Sequence, residues 1–287
     1  MNSIDIESKK FLGQPKNFVS IFNALLFDGQ PVLKPEYLKD ENSELVMNVS
    51  SKHVDIIKRY EDGTYLDLFV IESQSYVDQC MVARVMEYES VARMRYIRQN
   101  FKKHVPMHTR LPMILTVVLY VGESKWNAAK RLSELEIIHP GFEDMFNEFK
   151  LNLIELNTNH KYNTGEKATQ DFFDLLRMIY RKQILKEDLD REFNRDALYF
   201  AYVVTKNKEL LNIYQESEKG DVKVCRALDE MFEESTNKGI QMGIKHSIAL
   251  NQFEVYQTML DKGFSVKAIA SIFSVSEESI KTLLMRT

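Results

Sequence analysis

Cysteine is almost absent: Cys80 and Cys225 are the two in 287 residues, and they stand far apart. No disulfide framework and no cysteine-based zinc site can be built from such a pair, and a reducing compartment is the natural expectation. Glycine and proline are scarce as well, at 10 and 6, which leaves little material for loops and implies much helix. An excess of positive charge is lacking too. The 38 Lys and Arg face 42 Asp and Glu, a formal charge of −4. That excludes the strongly basic whole chain of the simplest nucleic-acid binders, so any surface for nucleic acid has to be local. Long apolar runs are missing: the longest, Met113 to Val121, is interrupted by Thr116 and falls far short of the roughly 20 residues that a membrane-spanning helix needs. The opening MNSIDIESKK offers no apolar stretch for a signal peptide. A cytoplasmic protein without a membrane segment is expected, and at 44% hydrophobic and 28% charged its composition is that of a globular chain.

What is present reads as α/β. Phe18, Ile21, Phe22, Leu25 and Leu26 share one helical face over residues 16–27, closed by Asp28-Gly29. The period then changes. Residues 45–49, 53–60 and 65–74 are strand candidates, the last two separated by the turn signal Glu61-Asp62-Gly63. Residues 78–103 read as one long helix, 111–121 as a strand buried on both faces, and 151–156 as a further strand. The order helix, three strands, helix, strand, strand predicts a mixed sheet flanked by helices. After about residue 163 the strand signal stops. Helices are expected over 168–188, 194–218 and 221–232, followed by a polar stretch over 233–250 and a helical tail over 252–287. The expected division is 1–162, 163–250 and 251–287.

The apolar strand 65–74 ends on Glu72-Ser73-Gln74. A buried carboxylate is costly unless it is paired or holds a metal. Asp55 sits in the preceding strand. A hairpin turning about Asp62-Gly63 sets Asp55 opposite Val70 and Glu72 diagonal to Asp55 on the same face. Two carboxylates so placed can share one hard cation, and Gln74 projects from that face as well. Spacing alone also accommodates solvated carboxylates at strand ends, and a Gln74 that satisfies backbone groups.

The segment VDIIKRYEDGTYLDLFVIESQS, the helix MVARVMEYESVARMRYIRQN and the strand LPMILTVVLYVGESKW together resemble the Rpn family of recombination-promoting nucleases, also called PD-(D/E)XK nuclease family transposases. The resemblance covers about residues 15–160, and the tail GFSVKAIASIFSVSEESIKTLL is similar to that family's C-termini. It implies a restriction-endonuclease-like (PD-(D/E)XK) core followed by an all-α C-terminal region, and metal-dependent hydrolysis of DNA. On this resemblance Asp55 and Glu72, with the main-chain carbonyl of Ser73, bind Mg²⁺, for which Mn²⁺ is a plausible substitute. Gln74 stands where the superfamily usually has Lys, which argues for slow chemistry or for charge supplied from elsewhere. No small-molecule cofactor is implied.

Arg84 is the expected supplier of that charge. With Tyr88, Val91, Arg95, Arg98 and Lys102 it falls on a helical stripe about 80° wide. Residues 93–110 hold six Lys and Arg and no acid, a local base suited to phosphate. A solvated helix face and a packing role for Tyr88 are the plainer alternatives. His104 and His108 flank Pro106 and so belong to a loop. In the tail, Ala270, Ser274 and Ile280 have helix-turn-helix spacing, with Ser265 and Ser276 as N-caps; Glu277-Glu278 would repel phosphate, so a packing cap is the alternative. Expected partners are DNA, a second copy of the chain and an inhibitory protein. A nuclease-fold module that binds without cutting is the competing function.

Overall fold

The computed structural model describes residues 3–40, 56–63, 66–101, 104–184, 188–217 and 220–285. The strand candidate over 45–49, Asp55 and Lys102 lie outside these. The described strands β1 (Leu38–Asp40), β2 (Ile56–Glu61), β3 (Leu66–Gln74), β4 (Ile114–Tyr120) and β5 (Asn152–Glu155) form one sheet in chain order. The β1–β2 and β2–β3 pairs are antiparallel, whereas β3–β4 and β4–β5 are parallel. The mixed α/β architecture expected from the pattern is therefore present.

The hairpin register differs from the expected one. Val70 faces Ile57, and the ladder closes on Glu61 and Leu66. The connection is thus longer than a tight turn on Asp62-Gly63, with Gly63 in the left-handed region at φ 89°. A shift of two residues leaves every side chain on its expected face.

Helices cover both faces of the sheet. On one side lies α3 (Met81–Asn100), the crossover that parallel strands require. Its Tyr88 and Ala92 pack with Ile57, Leu68, Val70 and Ile114, and its Met81, Val82 and Val85 pack with Val118, Tyr120 and Trp126. Trp126 is structural: its ring stands edge-on to Tyr120 at 5.0 Å and its Nε1 donates to the Ala128 carbonyl. On the other side lie α1 (Ser3–Leu12) and α2 (Pro15–Phe27). Phe22 of α2 meets Phe69 at 4.8 Å, and Ser8 of α1 donates to Ser73. Helix α1 was not expected. Its anchors are Phe11 and Leu12, which are buried, Phe11 stacking on Phe200 at 5.0 Å.

Further along run α4 (Lys167–Arg181), α5 (Arg195–Thr205) and α6 (Lys208–Glu216). The single helix expected over 194–218 is in fact two. Lys206 at φ 57° ends α5, and Asn207 caps α6 by accepting from the Glu209 amide. A two-stranded ribbon, β6 (Glu192–Phe193) with β7 (Val222–Lys223), corrects both the expected end of strand after residue 163 and the helix expected to start at 221. Strands of two residues carry no readable period.

The chain divides into two compact units, Met1–Leu228 and Asp229–Thr287, and the helices after residue 163 up to α6 belong with the sheet. Helix α7 (Cys225–Asp261) runs through the polar stretch 233–250. In the second unit Tyr256 packs with Ile269, Ala270 and Ile280, between α8 (Val266–Phe273) and α9 (Glu277–Leu284). Ser265 and Ser276 accept from the amides of Ala268 and Ser279, and Ser274 makes the turn at φ 56°.

One network in the first unit is unusually charged. Asp171 and Asp174 of α4 are 0% and 3% exposed. Arg191 donates to both, at 2.5 and 2.8 Å, and Lys167 donates to Asp171 at 2.6 Å. Removing one partner of such a cluster strands a buried charge. Arg191→Ala is therefore expected to lower the unfolding free energy by about 3–5 kcal/mol, read from the urea midpoint.

Candidate active site

Along β3 the side chains alternate. Phe69, Ile71 and Ser73 face α1 and α2, while Leu68, Val70, Glu72 and Gln74 face α3. An apolar strand thus presents a carboxylate and an amide to α3 at its last two positions on that face. Glu72 and Gln74 are each 4% exposed, so neither is a solvated strand-end side chain. Their parallel neighbours on β4 are Val118 and Tyr120.

The charge of Glu72 is met by Arg84, whose Nη2 donates to Glu72 Oε1 at 3.2 Å. The same guanidinium donates to the Tyr88 hydroxyl from Nε at 3.1 Å and from Nη2 at 2.8 Å, and its Nη1 donates to Asp78. Asp78 has a second task, since its Oδ1 accepts from the Cys80 amide at the start of α3 at 2.9 Å. One carboxylate therefore fixes the approach to the helix and aims the arginine. Burial works against the Arg84 charge, yet the bonds to Asp78 and Tyr88 and the charge of Glu72 outweigh it and hold the group above its usual range. Burial also raises the Tyr88 phenol; the Arg84 bond opposes this and Glu72 adds to it. Tyr88 is both a core residue and a polar member of the cluster.

Gln74 is different. Its Nε2 is buried with no hydrogen-bond partner among the described residues. A buried amide nitrogen left without an acceptor costs about 1–3 kcal/mol, so the position suits a donor to a water or an oxyanion brought from outside. Cys80 is exposed.

Glu72, Arg84 and Tyr88 are thus brought together, with Gln74 on the same face of β3 and the Ser73 side chain turned to the opposite one. Arg95 is half-buried and Arg98 exposed further along α3. His104 and His108 are exposed and outside helices, His108 at φ 63°. Among the described residues no three His, Cys, Asp or Glu side chains form a metal-ligand group. The role of Asp78 was missed in the sequence, because it precedes α3 by three residues and its partner Arg84 lies inside the helix.

These features define an α/β protein with a buried acid–amide pair on its central strand, held under an arginine and a tyrosine from the crossover helix. The chain belongs to the family described as "Putative transposase, YhgA-like", whose profile matches residues 36–210, a family of the PD-(D/E)XK and Rpn type. Neither a curated protein nor a solved structure matches the chain. No helix among the described residues is long and apolar enough to cross a membrane.

The ion pair has a measurable signature. Arg84→Ala is expected to lower the unfolding free energy by about 3 kcal/mol by leaving Glu72 without its cation. In a cycle with Asp78→Ala the two losses are expected to fall short of additivity by about 0.5–3 kcal/mol, measured by chemical denaturation.

Proposed function

We propose that the chain is a divalent-metal-dependent DNA endonuclease of the transposase-associated type, built on a restriction-endonuclease-like core. Membership in the YhgA-like transposase family points to a nuclease-type transposase. The observation that carries the finer reading is the pairing of buried Glu72 with Gln74, whose amide nitrogen has no partner among the described residues. Asp55 immediately precedes Ile56, and the partner of Ile56 immediately precedes Glu72.

The donor set fits a hard cation: two carboxylates and a main-chain carbonyl, with no sulfur. Asp55, Glu72 and the Ser73 carbonyl would hold Mg²⁺, or Mn²⁺ in its place. The metal supplies a Lewis acid for the phosphate and a more acidic bound water. The remaining work falls to the chain's own side chains. Gln74 donates from Nε2 to the attacking water or to a phosphate oxygen, orienting it without adding charge. Arg84 offsets the charge of Glu72 and fixes its carboxylate, with Asp78 fixing Arg84 in turn. Arg95 and Arg98 on the same helix, and Lys102 after it in the sequence, serve as contacts to the DNA backbone, while Tyr88 packs in the core beside Arg84. A neutral amide in place of an ammonium makes the chemical step slow.

Plasmid nicking that requires Mg²⁺ or Mn²⁺ and falls to background in Asp55→Ala and Glu72→Ala is the expected result. Nicking that survives either substitution or chelation overturns the proposal. A second reading has its own observation: the Glu72 carboxylate is already paired with Arg84. A module that holds DNA or a protein without cutting would bind DNA equally well as wild type and Asp55→Ala, with no cleavage in any divalent metal. Substituting Gln74→Lys is expected to raise the nicking rate if the first reading holds, measured under single-turnover conditions.

A further inference from the structure

Two exposed stretches of the first unit are complementary in charge and alike in apolar character. The connection between β4 and β5 carries five acids and no Lys or Arg over residues 134–148. Several of its apolar side chains stand in water: Ile137 is fully exposed and Met145 is 76% exposed. Three of the acids are used within the connection itself. Glu134 accepts from the Lys130 amide, Glu143 from the Gly141 amide and Glu148 from the Ser133 amide. Glu136 and Asp144 are exposed and make no ion pair among the described residues.

The opposite character belongs to residues 93–113, which hold six Lys and Arg and no acid. Met107 there is 85% exposed and Met113 is 51% exposed. Arg98 and Arg110 are exposed and, like Glu136 and Asp144, unpaired among the described residues. An exposed apolar patch rimmed by charge marks an interaction surface. The acidic rim of the 134–148 loop rejects nucleic acid and selects a basic, apolar partner.

We propose that the 134–148 loop of one copy of this chain docks on the 93–113 segment of a second copy. Among the described residues the complementarity is not used within one chain, since the four charges make no pair there, and both surfaces are present at equal concentration in any solution of the protein. In a two-fold dimer the contact occurs twice, which closes the assembly. Glu136 and Asp144 meet Arg98 and Arg110, while Ile137 and Met145 cover the methionines. Pairs of this exposed kind are screened by salt, so the dimer is salt-sensitive.

The test is sedimentation velocity of the full chain at low salt. A concentration-dependent dimer is expected for wild type. Glu136→Lys/Asp144→Lys and Arg98→Glu/Arg110→Glu are each expected to weaken it by about tenfold or more. An equimolar mixture of the two variants should recover the dimer, because every contact is again between opposite charges. Recovery by mixing separates pairing from any folding defect, and Glu136→Gln/Asp144→Asn gives a milder second variant. A wild-type monomer at the highest soluble concentration, a dimer indifferent to both reversals, or a mixture that stays monomeric overturns the proposal.

Discussion

A carboxylate placed in the interior of a sheet constrains everything around it. Glu72 cannot stay charged there alone, because the desolvation cost exceeds what a sheet's own dipoles return. Arg84 meets that demand, and the demand fixes where α3 lies. An arginine that must reach the end of β3 has to leave the helix in its first turn, and Asp78 holds both that turn and the guanidinium. A second stitch lies two turns on: buried Glu89 accepts from the Thr116 amide of β4 at 3.1 Å and from Arg93 at 2.9 Å. Between these polar ties the helix is free to be apolar, and Val85, Tyr88 and Ala92 fill the gap. The helix is therefore clamped in register to two neighbouring strands, which is what a site assembled from a strand and a helix requires.

Much of this could be read from residue order. The period-two strands, the long helix and the doubly buried β4 announce themselves because each is long enough to show its repeat. Glu72 announced itself by being wrong for its surroundings. What escaped was short or non-local. Strands of two and three residues have no period. The hairpin register depends on how many residues the connection uses, which turn residues alone do not count. The direction of Arg84 on the helix was legible, but its acceptors were not: helical geometry says which way a side chain leaves, while its partner is set by the strand underneath. The buried Asp171 and Asp174 on α4 look like a polar face until Arg191, from a separate segment, is seen to reach them.

The charge of −4 also takes on a different meaning. Several acids lie inside the protein, already matched by Arg84, Arg191 and Lys167, and they contribute little to the outside. Arg98 and Arg110, by contrast, keep their charge at the surface. If DNA and a second copy both use the 93–113 segment, the two associations exclude one another, so the free pool of that surface falls as protein concentration rises.

Among the described residues the sheet ends on short strands at both sides. Its outer described strands are its shortest, β1 with three residues and β5 with four, against nine for β3 at the centre. An edge with so few open amides and carbonyls gives an incoming strand almost nothing to zip against. Along these described edges the sheet is poorly suited to growth by strand addition, so an assembly of copies through the described residues falls to side chains and loops, where a handful of charges can reverse it.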